Sequence, residues 1–387
     1  LTPEKLYLIL LVIKELARMN QQEANRRMEE EIQFFPWFVQ NYFRKKSGDQ
    51  YSSITLYEYA KEYRRFLNWL IQEGFSSADT LSEVTLAEFS ALWPEDLEFY
   101  KAHLVKAPKI LKESTKKRLE ESEQSLPLRQ NATVQRGVTA LRSLFNYLNE
   151  AIDRHTGKPY LEHNMMGKVA NVKDNKTMAE RGAAIEKKLF LDEEALDFLD
   201  FVDQRYIETL ETRQAITAFK KNQLRDLAII GLFLGTGMRL SELVNMNVQD
   251  LDLHTGEARV YRKGGKWDMV VISSIAIDYL TEYLAQREQL YHPDENETAL
   301  FLTRYRGKAK RIASGAVEAM VGKYSEAFKI KISPHKLRHS VATQLYSKTN
   351  SLVQVAEQLG QSGTSATTVY THIAGKKKRD AMNDLWS

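Results

Sequence analysis

The sequence predicts a mainly α protein of two domains, the second carrying a small antiparallel β-sheet. Three observations predict it. Helical spacing of apolar residues dominates the first half. Leu56, Tyr59, Tyr63, Phe66, Leu67 and Leu70 share one face of a segment from Ser53 to Glu73, and Val134, Val138, Leu141, Leu144, Phe145 and Leu148 share one face from Thr133 to Ala151. The clearest strand signal lies in the second half. There Ala258 to Arg262 and Trp267 to Ile272 flank Lys263-Gly264-Gly265-Lys266, a turn whose glycines suit positive φ. Between the halves, residues 171–188 are polar, charged and weakly periodic, as a linker is. A chain of 387 residues with 43% hydrophobic content also exceeds what one compact core usually holds.

In chain order, Leu6 to Ile13 is apolar but too short to cross a bilayer, and it runs into Lys14 and Glu15. No small-residue cleavage site follows, so it is not read as a signal peptide. The first Met is Met19, and residues 1–18 are either an extension or an ordinary amphipathic helix. Residues 20–46 are charged and aromatic without a strand pattern. After the helix from Ser53, stopped at Gly74, helices are expected at Thr85 to Leu92 and Pro94 to His103. Val105 to Gln130 is polar and basic, with Lys106, Lys109, Lys112, Lys116, Lys117 and Arg118, and reads as a loop or an exposed helical excursion. The helix from Thr133 then completes an all-helical domain of four or five helices over residues 19–170.

Beyond the linker, the second domain covers residues 189–387. Asp192 is read as the N-cap of its first helix. Leu224 to Leu234 is a nearly continuous apolar run, a buried helix ending in Gly235-Thr236-Gly237, which delivers Arg239 to the next helix. Helices resume at Ala276 to Arg287, at Ala313 to Phe328 and from His335 onward.

Composition narrows the chemistry. With no cysteine, disulfides, thiolate catalysis and Cys-based metal sites are excluded. The eight His show no metal-ligand spacing, so no metal and no cofactor is expected. A charged fraction of 27% and the lack of Cys fit a soluble, cytoplasmic protein with no membrane association. Lys and Arg number 55 against 51 Asp and Glu, net +4, which permits a polyanionic partner without demanding one. Lys61, Arg64 and Arg65 on one helix and Arg136 and Arg142 on another are the candidate phosphate contacts. The plainer reading of the first three is a solvated helix face.

Moving a phosphodiester bond without a metal requires a nucleophile, cationic donors around the phosphorus and a general acid for the leaving oxygen. Arg suits the donor role because its planar fork stays charged and binds phosphate bidentately. Tyr suits the first role because a phosphotyrosine ester keeps the bond energy, so the strand can be resealed without ATP. Gly235-Thr236-Gly237-Met238-Arg239-Leu240-Ser241-Glu242, Pro334-His335-Lys336-Leu337-Arg338-His339 and Thr368-Val369-Tyr370-Thr371-His372 supply those residue types.

The ordered set Arg239, Lys263, His335-x-x-Arg338 and Tyr370 resembles the tyrosine recombinase (phage integrase) family. Each motif alone is weak; together, in order and at family-like spacing, they are specific. The likeness covers the catalytic domain, roughly Lys187 to Ile373, and the helical half resembles the family's core-binding domain. Within the family, Arg262-Lys263-Gly264-Gly265-Lys266, Pro334-His335-Lys336-Leu337-Arg338-His339 and Tyr370-Thr371-His372-Ile373 are most similar to Xer-type recombinases, in particular the single-recombinase form of streptococci and their relatives.

The resemblance implies roles by position. Tyr370 is the nucleophile. Arg239 and Arg338 clamp the scissile phosphate. His335 hydrogen-bonds it or assists proton transfer. Lys263 is the general acid, with Lys266 as the alternative three residues on, and Glu242 orients its neighbours. One position departs from the pattern: after Leu359-Gly360 the family commonly has His, sometimes Trp, where this chain has Gln361. A Gln donates a hydrogen bond but carries no proton or charge, so this puts the rate in question rather than the reaction.

The resemblance further implies a homo-tetramer on two double-stranded DNA sites, a C-terminal tail with Leu385 and Trp386 that docks on a neighbouring copy, and a cell-division DNA translocase as partner. The implied function is site-specific recombination through a 3′-phosphotyrosine, resolving chromosome dimers at a dif-like site. A phage or transposon integrase is the alternative, although the lambda type adds an N-terminal domain with strands, a pattern residues 1–46 lack. A type IB topoisomerase shares the chemistry but not this two-domain layout. From another class, a non-cleaving architectural DNA-binding protein would need neither Tyr370 nor His335.

Overall fold

The computed structural model describes residues 21–109, 115, 125–173, 177–262, 265–364 and 367–373. The chain divides between Asn175 and Lys176 into two compact units. The expected features of residues 1–18, of most of the basic excursion and of the C-terminal tail lie outside the described residues.

The first unit holds six described α-helices: α1 (Gln21–Ile32), α2 (Trp37–Gly48), α3 (Ser53–Gln72), α4 (Leu86–Ser90), α5 (Pro94–Lys106) and α6 (Asn131–Glu150). The charged and aromatic stretch at 20–46 thus falls on two helices, α1 and α2, separated at Pro36. Their few buried positions, Ala24 and Met28 in α1 and Phe38, Val39, Tyr42 and Phe43 in α2, sit among charges that hide the period. The start of α4 follows a reciprocal cap: the Glu88 amide donates to Thr85 Oγ1 at 3.3 Å, and the Thr85 amide donates to the Glu88 carboxylate at 2.7 Å. The apolar faces of α3 and α6 bury into an aromatic core with Phe38, Tyr42, Phe89 and Tyr100. Of the polar tips inside it, Tyr63 Oη donates to the Ala140 carbonyl at 2.9 Å, whereas the Trp69 indole N–H has no partner among the described residues. The basic excursion is closed at its base, where the Lys109 amide donates to Pro127 O at 2.7 Å and the Arg129 amide to Ala107 O at 3.2 Å.

In the second unit, α7 (Met178–Glu186) occupies the second half of the expected linker. Thr177 and Glu180 cap it reciprocally, and it packs against the helix that carries Tyr370. Asp192 is not a cap. It has a φ of 51°, and α8 (Glu194–Asp200) begins after Glu193. Then follow α9 (Arg213–Thr236), α10 (Leu240–Asn245), strands β1 (Leu251–Asp252), β2 (Glu257–Arg262) and β3 (Lys266–Val271), and α11 (Ser274–Tyr291). The strands form one antiparallel sheet in the order β1-β2-β3, with Arg262 opposite Lys266 and Ala258 opposite Val270.

A second hairpin, β4 (Leu302–Tyr305) with β5 (Lys308–Arg311), was not legible, because Lys308-Ala309-Lys310-Arg311 has no apolar alternation. The described residues of the C-terminal run form four helices, α12 (Ser314–Phe328), α13 (Pro334–Thr349), α14 (Leu352–Leu359) and α15 (Val369–Ile373). The core gathers α9, α11 and α12 around Ile229, Phe233, Leu280, Tyr283, Val321 and Tyr324. A separate apolar cluster joins Leu189, Ala342, Val355, Leu359, Tyr370 and Ile373.

Candidate active site

Helix α9 is capped by Thr212, whose side chain accepts from the Ala215 amide, and ends at Gly237 with φ 68°. A side chain there would meet more than the left-handed backbone: a Cβ would lie 2.9 Å from Leu359 Cδ2. This turn buries Met238 and delivers Arg239 to the rim of a cleft of about 310 Å³. Arg239, Ser241, Ser314, His335 and Arg338 are among its lining residues. His335 and Arg338 lie three residues apart in the first turns of α13, on one helix face. Pro334 at the first position needs no amide partner there, and the exposed amides of a helix N-terminus favour an anion.

The two arginines are held before any ligand arrives. Glu242, 3% exposed, accepts from Arg239 Nη1 at 2.7 Å and from the Arg239 amide at 2.7 Å. Arg338 donates to the carbonyls of Gly237 and Leu359, both at 2.8 Å. Burial, then the charge of Arg239, lowers the Arg338 pKa to about 10, so it remains charged at neutral pH. Desolvation at the cleft, then the charges of Arg338, Lys336 and Arg239, lower His335 below its ordinary range. The site is thus rich in positive potential aimed at one place, the arrangement an oxyanion requires.

Tyr370 lies on α15, 2% exposed within the small apolar cluster. Its phenol is 2.9 Å from His339 Nδ1. Burial raises the phenol pKa, with Arg338 opposing weakly. Burial, then His335, Lys336 and Arg338, hold His339 down to about 4, so the imidazole is neutral, and its tautomer sets which group donates in this contact. A buried, protonated phenol is a poor nucleophile.

Gln361 follows the α14 terminus, its amide N–H donating to Ala356 O at 2.8 Å. Its Oε1 is buried with no hydrogen-bond partner. Lys263 lies outside the described residues. Lys266 opens β3 and is exposed.

The candidate DNA contacts of the first unit are engaged within it. Lys61 pairs with Glu58, Arg64 with Glu31 and Arg65 with the buried Glu62. Arg136 reaches Glu58 at 3.3 Å and Glu62 at 3.5 Å, and Arg142 donates to Asn171 and to Val169 O, both at 2.9 Å. Partly exposed pairs of this kind are worth about 0–1 kcal/mol, so a phosphate can compete for the same cations.

Two residues at the site escaped sequence reasoning. His339 follows Arg338 and lies one turn past His335, a repeat of His at i and i+4 that signalled a shared face. Arg262 continues the inward alternation of Ala258 and Val260, and a charge at an inward strand position signals a buried partner.

Residues 205–377 match the Phage integrase family. The chain is 42% identical over 367 residues to tyrosine recombinase XerS of Streptococcus uberis and 41% identical over 367 residues to that of Streptococcus pneumoniae. Each match covers 95% of this chain and 100% of the relative. The chain belongs to the tyrosine recombinase family. It is a site-specific recombinase, an enzyme that cleaves and rejoins DNA strands. Solved structures share the recombinase's fold. The XerH site-specific recombinase bound to difH substrate, in a pre-cleavage complex, aligns at TM-score 0.56 and 19% identity, covering 96% of this chain and 91% of that one. A lambda integrase dimer bound to a COC′ core site aligns at TM-score 0.51 and 13% identity, covering 88% and 95%. Among the recombinase's described residues, no helix is long and apolar enough to cross a membrane.

Proposed function

We propose that this recombinase resolves chromosome dimers at a dif-like site in the cytoplasm, acting as a homo-tetramer on two duplexes and answering to a cell-division DNA translocase. Tyr370 attacks the scissile phosphate and forms the 3′-phosphotyrosine. Arg239 and Arg338 stabilise the developing charge, His335 bonds the phosphate at the helix N-terminus, and Lys263 protonates the leaving 5′ oxygen. Gln361 donates its Nε2–H to a non-bridging oxygen, and Glu242 fixes Arg239. The observation that carries this reading is the convergence of Arg239, His335 and Arg338 on one cleft, with Tyr370 tied to the next residue of the same helix, His339. Similarity over nearly the whole length of the XerS relatives favours dimer resolution over mobile-element integration.

The test is a nicked suicide duplex carrying the chromosome's candidate site. The wild-type protein should form a covalent adduct without divalent metal. Tyr370→Phe should bind the duplex, because phosphate contacts elsewhere supply the affinity, and form no adduct. An adduct in that variant, or an absolute need for magnesium, would overturn the assignment.

A further inference from the structure

We propose that His339 is a catalytic residue, the general base that takes the phenolic proton of Tyr370 as the phenol attacks phosphorus. The inference rests on Tyr370 being the nucleophile. Tyr370 Oη lies 2.9 Å from His339 Nδ1, within the reach a general base needs. The phenol is 2% exposed, so bulk water is badly placed to take its proton, and burial raises its pKa. A phenol in those surroundings becomes nucleophilic through an adjacent base supplied by the protein. The imidazole tautomer with its hydrogen on Nε2 leaves the Nδ1 lone pair facing the phenol.

Helix α13 divides the work between its two histidines. His335 lines the cleft with Arg239 and Arg338, where a phosphate would sit. His339, one turn further on, meets Tyr370, and the two imidazoles contact each other edge to face with centroids 4.5 Å apart. The charge of Arg338 also reaches the phenol, so nucleophile, base and clamp lie together. In the free protein, burial, then His335, Lys336 and Arg338, hold His339 at about 4, a weak base at neutral pH. A phosphodiester seated against His335 and Arg338 brings the opposite charge, which favours the protonated imidazole. The base thus gains strength when the substrate arrives.

In the step, the proton passes from Tyr370 Oη to His339 Nδ1, and an Oη lone pair forms the bond to phosphorus. The bond from phosphorus to the 5′ oxygen breaks, its electron pair leaves with that oxygen, and the general acid protonates it. Religation runs the same path backwards: the His339 imidazolium returns its proton to the departing phenolate oxygen.

The test is cleavage of a nicked suicide duplex by His339→Asn. Asn keeps an acceptor beside the phenol but takes no proton, so a residue that only holds the phenol would survive the change. His339→Asn should cleave about a hundredfold to a thousandfold more slowly, the scale of a lost general base. With Tyr370 replaced by a ring-fluorinated tyrosine, a more acidic phenol, that variant should recover at least about tenfold, and the parent should gain nothing. Cleavage by His339→Asn at the parent rate, while Tyr370→Phe forms no adduct, would overturn the base and leave Tyr370 the nucleophile. A slow His339→Asn that the acidic phenol fails to rescue would make the contact structural and overturn the proposal too. An adduct in Tyr370→Phe would overturn the nucleophile itself. If His339→Asn does not fold, His339→Gln is read by the same criteria.

Discussion

The neutral His339 that holds the Tyr370 phenol gives the site a defined pH response. An unfolded imidazole titrates near 6.5, whereas His339 in the fold titrates near 4. Between those values the unfolded chain binds a proton that the folded chain does not. Stability contributed at this residue is therefore full above about pH 6.5 and declines as pH falls towards 4. His339→Asn cannot titrate and keeps an acceptor near the phenol. Urea unfolding from pH 7 to pH 4.5 should show a shallower loss for this variant than for the parent, and parallel curves would remove His339 from the account. Gln361 gives the second residue-scale prediction. Phosphate oxygens accept and do not donate, so only its Nε2 can serve the substrate. Gln361→Leu keeps the bulk without the donor and should cleave roughly tenfold to a hundredfold more slowly, the cost of one hydrogen bond to a charged group at about 1.5–3 kcal/mol. Gln361→His should retain activity. Equal rates for Leu and parent would place Gln361 outside the site.

The elements that carry the clamp were legible where one period governed them, and hidden where tertiary partners did. The helices at Ser53–Gln72, Asn131–Glu150 and Ser314–Phe328 follow from apolar spacing, and the hairpin at Glu257–Val271 from alternation around glycine. The helix Met178–Glu186 was missed because its role is to cover the Tyr370 helix, and a short surface helix needs little apolar pattern for that. Asp192 has the chemistry of a cap but sits in a left-handed turn one residue too early. At the site, Arg239, His335, Arg338 and Tyr370 were readable as motifs. The resting contact to His339 was not, because it depends on how α13 and α15 pack. Gly237 tests the packing of these elements directly. An Ala there combines a left-handed backbone, costing about 1–2 kcal/mol, with a Cβ pressed on Leu359 and Val341. Gly237→Ala should lower stability by about 2–4 kcal/mol in urea. Cleavage should fall with it, because Arg338 is held by the Gly237 carbonyl. A variant as stable and active as the parent would show that the turn can relax without moving the arginine.

At the scale of the assembly, the proposed tetramer needs a link between copies that a single protomer does not satisfy. The second unit carries a groove of about 680 Å³ whose lining includes Phe190, Leu196, Leu234, Ile275, Val341 and Leu345. It adjoins the helix that bears His335 and Arg338, since Val341 and Leu345 belong to α13. The chain continues past Ile373 through Gly375-Lys376-Lys377-Lys378-Arg379 to Leu385-Trp386. A Leu–Trp pair on a basic tether is the kind of apolar anchor that fills such a groove, and Trp is prominent among residues that dominate interfaces. Seated in a neighbouring copy, it would couple that copy's active-site helix to the Tyr370 segment of the first. A chain ending at Lys378 should therefore bind one duplex as the full chain does in a band-shift assay, yet fail to bring two duplexes together or to recombine them. Leu196→Glu, at a groove position 54% exposed and so tolerant of charge in the free protein, should reproduce that failure without truncation. If either variant assembles tetramers on two sites as readily as the parent in sedimentation, the tail and groove do not join copies, and the contact between protomers lies elsewhere on the catalytic unit.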